Sequence, residues 1–209
     1  MDYIFPKLPK GSFEGYIFDC DGTVAHSMPI HFKAWRYALQ ANQATFEFTW
    51  ECFRSMAGMG LEETIMIMNE KHSHSLIPEK VIESQVIYFR KNVHELKAKE
   101  EIVAIAREKK FLTHPISIAS GGKREFVHLT LEMLGILDLF DIIVTQDDVR
   151  RCKPDPEIFL LAAEKMNIAP EKCLVFEDSP LGIQAAKSAG MQAVFIEDHA
   201  PDFILNSKI

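Results

Sequence analysis

Residues 15–24 read "GYIFDCDGTV". The run Tyr16-Ile17-Phe18 has the bulk of a short buried strand, and it ends in two carboxylates, Asp19 and Asp21, with Gly22 directly behind. Asp and Gly are common turn residues, so a turn is the simplest reading. A metal and phosphate site is the sharper one, and the rest of the chain decides between them. Cys20 stands between the acids and invites a nucleophile reading. Alternation points its side chain away from theirs, and a free Cys in such a place is read as packing.

Beyond about Lys99 the pattern alternates. Helical "KEEIVAIAREKK", "KREFVHLTLEML", "EIFLLAAEKM" and "PLGIQAAKSA" are interleaved with extended "PISIA", "DIIVT", "CLVF" and "AVFI". Strands alternating with helices predict an α/β fold with a parallel, doubly wound sheet and right-handed crossovers. From about Pro29 to His94 the spacing is helical throughout, in "PIHFKAWRYAL", "TWECFRSM", "LEETIMIMNEK" and "PEKVIESQVIYFRKN", with Pro29 and Pro78 placed at helix starts. The expected organisation is a core of residues 1–24 and 97–209 with a helical bundle cap, residues 25–96, inserted behind the first strand. Such an insert sits above the sheet's carboxyl edge, where open α/β folds keep their ligands. The crossings near "VAHSM" and "NVHELKA" are candidate hinges, although neither is rich in glycine. Trp35 and Trp50 are expected in the core of the bundle.

The chain has 209 residues, 47% hydrophobic and 25% charged, which suits one globular domain with a modest insertion. A net charge of -7 argues against nucleic acid and anionic membrane as partners, and it means that an anionic substrate needs a local cation. No apolar run has the length of a membrane span, and "MDYIFPKLPKGSF" lacks the order of a signal peptide. A cytoplasmic location and a monomer are the expectations. Cys20, Cys52, Cys152 and Cys173 include no C-x-x-C pair and read as reduced thiols. His72 and His74 are read as solvated residues rather than a metal pair, since no third ligand is near in sequence.

Polar residues recur directly after the predicted strands. "YIF" ends in Asp19 and Asp21, "ISIA" in Ser120-Gly121-Gly122, and "LVF" in Glu177-Asp178-Ser179, while "IIVT" leads into Lys153-Pro154-Asp155-Pro156. Each piece alone has a structural explanation as a turn or cap, and Ser179 before "PLGIQAA" suits an N-cap. In a parallel sheet these ends share one edge, so the acids, a hydroxyl beside two glycines and a lysine would converge.

"FDCDGTV", "ASGG", "KPDPEIF" and "VFEDSPLGIQAA" together resemble the four ordered motifs of the haloacid dehalogenase superfamily, in its branch of sugar-phosphate phosphatases and β-phosphoglucomutases with a helical cap. The resemblance spans residues 15 to 197. It implies a Rossmann-like core, a Mg2+ cofactor held by the Asp19 and Asp178 side chains and the Asp21 backbone carbonyl, and Glu177 as a ligand or an orienting group. It also implies that Asp19 attacks phosphorus to form an aspartyl-phosphate, while Asp21 protonates the leaving oxygen and then activates water. Ser120 and the Gly121 N–H are expected to hold phosphate oxygens, with Lys153 as the neutralising charge. His31 resembles a histidine that relatives place beside the acid/base, and its alternative is an exposed helix face.

The expected activity is that of a Mg2+-dependent phosphatase on a small phosphorylated metabolite, a sugar phosphate such as fructose 1-phosphate. One alternative is a phosphosugar mutase of the β-phosphoglucomutase type. There, a cap arginine grips a second phosphate, and Leu61 occupies its place, leaving Arg54 or Lys71 as substitutes. The other alternative is a non-catalytic phosphometabolite-binding protein.

Overall fold

The computed structural model describes residues 6–198. Five strands, β1 (Gly15–Phe18), β2 (Ile116–Ala119), β3 (Ile142–Val144), β4 (Cys173–Glu177) and β5 (Gln192–Phe195), form one parallel sheet in the order β3-β2-β1-β4-β5. β1 is central, so the residue that follows it lies at the middle of the carboxyl edge.

The inner strands β1, β2 and β4 are buried on both faces, which is why they are short, mostly apolar runs rather than alternating ones. Tyr16 and Phe18 point into one layer, with Ile102, Val103 and Ala106 of α5 (Glu100–Phe111) and Val127 and Leu131 of α6 (Arg124–Met133). Ile17 points into the other, with Ile158, Phe159 and Ala162 of α7 (Glu157–Met166) and Ala185 and Ala186 of α8 (Pro180–Ser188). Phe18 stacks on its register partner Phe176 with ring centroids 4.6 Å apart, which packs β1 against β4 just below the edge that carries the acids. Cys20 is fully buried in the first layer, and burial, reinforced by Asp21 and Asp19, pushes its thiol well above the usual range. It is a packing residue, as alternation implied.

Behind β1 come four helices, α1 (Met28–Ala41), α2 (Trp50–Ser55), α3 (Leu61–His72) and α4 (Pro78–Asn92). Pro29 and Pro78 do stand at the first turns of α1 and α4. These helices enclose their own core of Phe32, Trp35, Phe48, Trp50, Phe53, Ile65 and Met68. A second seam, Ile30, Phe89 and Val93 against Phe126 of α6, joins the helices to the sheet layers. The two crossings run side by side: the His26 N–H donates to the Lys97 carbonyl (2.8 Å) and the Lys99 N–H to the Val24 carbonyl (2.9 Å). The candidate hinges are therefore paired with each other.

His72 and His74 differ from the expectation that they are solvated. His72 stacks on Phe46 (centroids 4.1 Å apart), and His74 Nε2 lies 3.0 Å from Thr45 Oγ1. Both rings are half-buried and tie the α1–α2 loop to the end of α3. Among the described residues, no helix is long and apolar enough to cross a membrane.

Candidate active site

β1 and β4 deliver Asp19 and Glu177 to the same edge, and Asp178 follows at the next position. Carboxylate oxygens of these three buried residues lie within 4.8 Å of one another. Lys153 reaches the same point from the β3–α7 connection, where the Lys153–Pro154 peptide is cis. Its side chain is wholly buried, and its ammonium donates to Asp19 Oδ1 (2.6 Å), Glu177 Oε2 (2.7 Å) and the Ala119 carbonyl (3.1 Å). All three donors of the lysine are used.

Both oxygens of Glu177 accept hydrogen bonds. Its Oε2 accepts from Lys153, while Oε1 accepts from the Ser179 hydroxyl (2.7 Å) and backbone N–H (3.0 Å). Ser179 Oγ in turn accepts from the Gly182 N–H (3.0 Å) and caps α8, the role its sequence position suggested. The residue ties the carboxylate of Glu177 to the start of a helix.

Asp21 is held from the helical side. The Ser27 hydroxyl donates to its Oδ1 (2.6 Å), and His31 Nε2 lies 2.9 Å from the same oxygen. Ser27 occupies the N-cap position of α1 without capping it, because its hydroxyl is spent on Asp21. His31 stacks on Phe89 (4.7 Å) with Phe126 edge-on (6.2 Å), so its ring cannot easily turn away. Of the two readings of His31, the geometry favours the one beside the acid.

Two loops from opposite sides meet over the acids. Gly22, at φ +84°, carries the chain so close to Asp178 that a Cβ there would collide with its Oδ2. A Cβ on Gly121 would lie 2.5 Å from the Gly58 carbonyl oxygen of the α2–α3 loop. Ser120, beside it, accepts the Gly122 N–H at 3.1 Å. The edge and the loop enclose a cavity of about 100 Å³, lined by Asp19, Asp21, Ser120, Gly121, Glu177 and Asp178 on the sheet side.

In the sequence, Arg54 is a candidate only as a substitute grip under the mutase alternative. Instead of facing a second phosphate, its Nη1 donates to Asp178 Oδ2 (2.6 Å) and its Nη2 to the Asp178 carbonyl (2.9 Å). Asp198 lies 3.9 Å from the same guanidinium and pairs with the buried Lys99 (3.2 Å). Lys71 is exposed near the end of α3 and does not line the cavity. Ser27, Arg54, Lys99 and Asp198 thus belong to the surroundings of the acids, and only Arg54 carried any signal in the sequence.

The model of haloacid dehalogenase-like hydrolases matches residues 13–190. The chain belongs to that family. The hydrolase is 31% identical to the fructose-1-phosphate phosphatase YqaB of Escherichia coli, over 87% of this chain and 95% of that one. It is 32% identical to a phosphorylated carbohydrates phosphatase of Thermotoga maritima, over 87% and 84%. Among solved structures, β-phosphoglucomutase from Clostridium difficile superposes with a TM-score of 0.76 at 27% identity, covering 87% of this chain and 83% of that one.

The charges of the hydrolase's site strain against each other. Burial first, then the neighbouring Glu177, raises the Asp19 pKa well above the usual carboxylate range, against the pull of Lys153. Asp178 is pushed up to about 7 by burial and Glu177, with Arg54 opposing. Burial also disfavours the Lys153 ammonium, but Asp19 and Glu177 outweigh it and raise its pKa above that of an ordinary lysine. Asp21 goes the other way. Burial is its largest influence, yet the His31 ring and the hydrogen bonds from His31 and Ser27 together hold it below the usual range.

A raised carboxylate pKa stabilises the fold only while the group is protonated. The Asp178 contribution is therefore complete below about 4 and is lost as pH rises through about 7. In a chelating buffer, wild-type thermal stability is expected to fall over this window by on the order of a few kcal/mol more than that of Asp178→Asn. Parallel pH–melting curves of the two proteins measure the difference. Superimposable slopes would show that Asp178 is not buried as described.

Proposed function

We propose that the hydrolase releases inorganic phosphate from a small phosphorylated metabolite, a sugar phosphate, with Mg2+ as cofactor and Asp19 as nucleophile. The observation that carries the reading is the convergence on one cavity of Asp19, Asp21, Ser120 and Asp178, with Lys153 locked onto Asp19 from behind. The phosphatases among its relatives support the same reading. Residues 25–96 act as the cap that selects the leaving group, with 1–24 and 97–209 as the catalytic core.

The donor set fits a hard divalent cation. Asp19 and Asp178 offer buried carboxylate oxygens and no sulfur or imidazole, and their mutual repulsion is what a cation relieves. Asp19 and Asp178 would hold Mg2+ with the Asp21 backbone carbonyl; bound there, Mg2+ offsets the charge of the phosphoryl oxygens. Glu177 belongs to the same group of three carboxylates, as a ligand or, held by Lys153 and Ser179, as an orienting group. Arg54 takes Asp178 Oδ2 and the Asp178 carbonyl, so Oδ1 is the oxygen that Asp178 would offer the cation with this pair intact.

In this account Ser120 Oγ and the Gly121 N–H hold phosphate oxygens, and Lys153 fixes the Asp19 carboxylate while its free oxygen attacks phosphorus. Asp21 is held ionised at neutral pH, so it must gain a proton before it can protonate the leaving oxygen, and His31 at 2.9 Å is placed to relay one. Asp21 then takes a proton from the water that cleaves the aspartyl-phosphate. Without a cation the shifts run against these roles: Asp19 becomes the anionic nucleophile only where a cation offsets Glu177 and Asp178, and Asp21 acts as acid only after it has taken up a proton.

The mutase alternative lacks support at its key position. Leu61 lines the cavity, and Arg54 is spent on Asp178. A panel of phosphate esters assayed with Mg2+ and with chelator separates the readings. Mg2+-dependent phosphate release is expected, while conversion of glucose 1-phosphate to glucose 6-phosphate with little free phosphate would favour the mutase. Tight binding with no turnover would favour a non-catalytic binder.

A further inference from the structure

The cap side of the cavity is unusual for a site that handles a polyol. It presents Trp35, Phe48, Phe53, Met56 and Leu61 and, among the described residues, no lysine, arginine, aspartate or glutamate of the helical insert. Three polar cap side chains line it, and two are already engaged. His31 is held by Asp21, and the Thr64 hydroxyl donates to the Gly60 carbonyl at 2.9 Å. The third is Gln85, on the inner face of α4 with Val81, Ile82 and Phe89. It is only 4% exposed, and its buried Nε2 has no hydrogen-bond partner among the described residues.

A buried amide donor without an acceptor is unfavourable, and folds rarely keep one unless something outside the chain completes it. Resting on the phosphatase reading above, we propose that Gln85 is the specificity-determining residue of the cap. The leaving group is a compact, uncharged alcohol with an apolar face, and one of its hydroxyl or carbonyl oxygens accepts from Gln85 Nε2. The aromatic and thioether walls pack the apolar face. A second phosphate or a carboxylate on the leaving group would be desolvated there without a cation beside it, which penalises bisphosphates and sugar acids. A cavity of about 100 Å³ also favours small alcohols over bulky ones.

The test compares kcat/KM of wild type, Gln85→Leu and Gln85→Glu with Mg2+. The esters are neutral ones (glycerol 1-phosphate, ribose 5-phosphate, 2-deoxyribose 5-phosphate, fructose 1-phosphate), charged ones (6-phosphogluconate, fructose 1,6-bisphosphate) and phenyl phosphate, which has no oxygen beyond its ester. The best neutral ester is expected to exceed the charged ones by about a hundredfold. Gln85→Leu is expected to lose about tenfold more on that ester than on phenyl phosphate, with a melting temperature equal to or above wild type, because the unmet donor is gone. A preference for charged esters, equal losses on phenyl phosphate and the best ester, or a melting temperature lowered by Gln85→Leu would overturn the inference and leave the phosphatase reading standing. No turnover of any ester would overturn both.

Discussion

Asp19→Asn is expected to melt within a few degrees of wild type and to release phosphate about 10⁴-fold more slowly, or not at all. The amide keeps an oxygen for the Lys153 hydrogen bond now made at 2.6 Å, so the buried cluster survives. It lacks the anionic oxygen that the proposed mechanism uses to attack phosphorus and to bind a cation, so on that mechanism the chemistry does not. Phosphate release measured beside a thermal melt separates these effects. Activity within about tenfold of wild type would remove Asp19 from the reaction.

Lys153→Met is expected to show the second large effect, this time on stability. Methionine fills a similar space but leaves Asp19 and Glu177 facing each other without the ammonium that now bridges them at 2.6 and 2.7 Å. Removing one partner from a buried ionic cluster costs about 3–5 kcal/mol. For a chain of this length that corresponds to a fall in melting temperature of roughly 6–20 °C. The loss should shrink as pH falls, because the Asp19 pKa is already raised by burial and Glu177 and rises further once the lysine is gone, so that protonation relieves the repulsion. A melting temperature unchanged at neutral pH would mean that the cluster is not assembled as described.

The fold was legible because each of its rules is local. Strands buried on both faces read as unbroken apolar runs, and Ile17 and Phe18 show why, since adjacent residues of β1 enter different cores. The prolines at the starts of α1 and α4 and the Ser179 cap of α8 act within a single turn. The acids and Lys153 were legible for a related reason: parallel pairing brings strand ends together whatever the loops do.

The rest depends on how the inserted helices dock. Arg54 meets Asp178, 124 positions away, only because α2 lies over the carboxyl edge. Ser27 looks like a helix cap in sequence and instead serves Asp21, and Gln85 is an ordinary polar residue until α4 turns it inward among apolar neighbours. His31 was ambiguous for the same reason, since its two readings differ only in what stands opposite the helix face. No spacing rule within the chain reports these contacts.

The most direct test of the central claim is where the phosphoryl group goes. Wild-type protein mixed with Mg2+ and its best phosphate ester, quenched in acid during turnover and mapped by peptide mass spectrometry, is expected to carry a phosphoryl group on Asp19 and to lack it in Asp19→Asn. Phosphate release that proceeds without Mg2+, or with no phosphoryl group trapped on Asp19, would contradict the account.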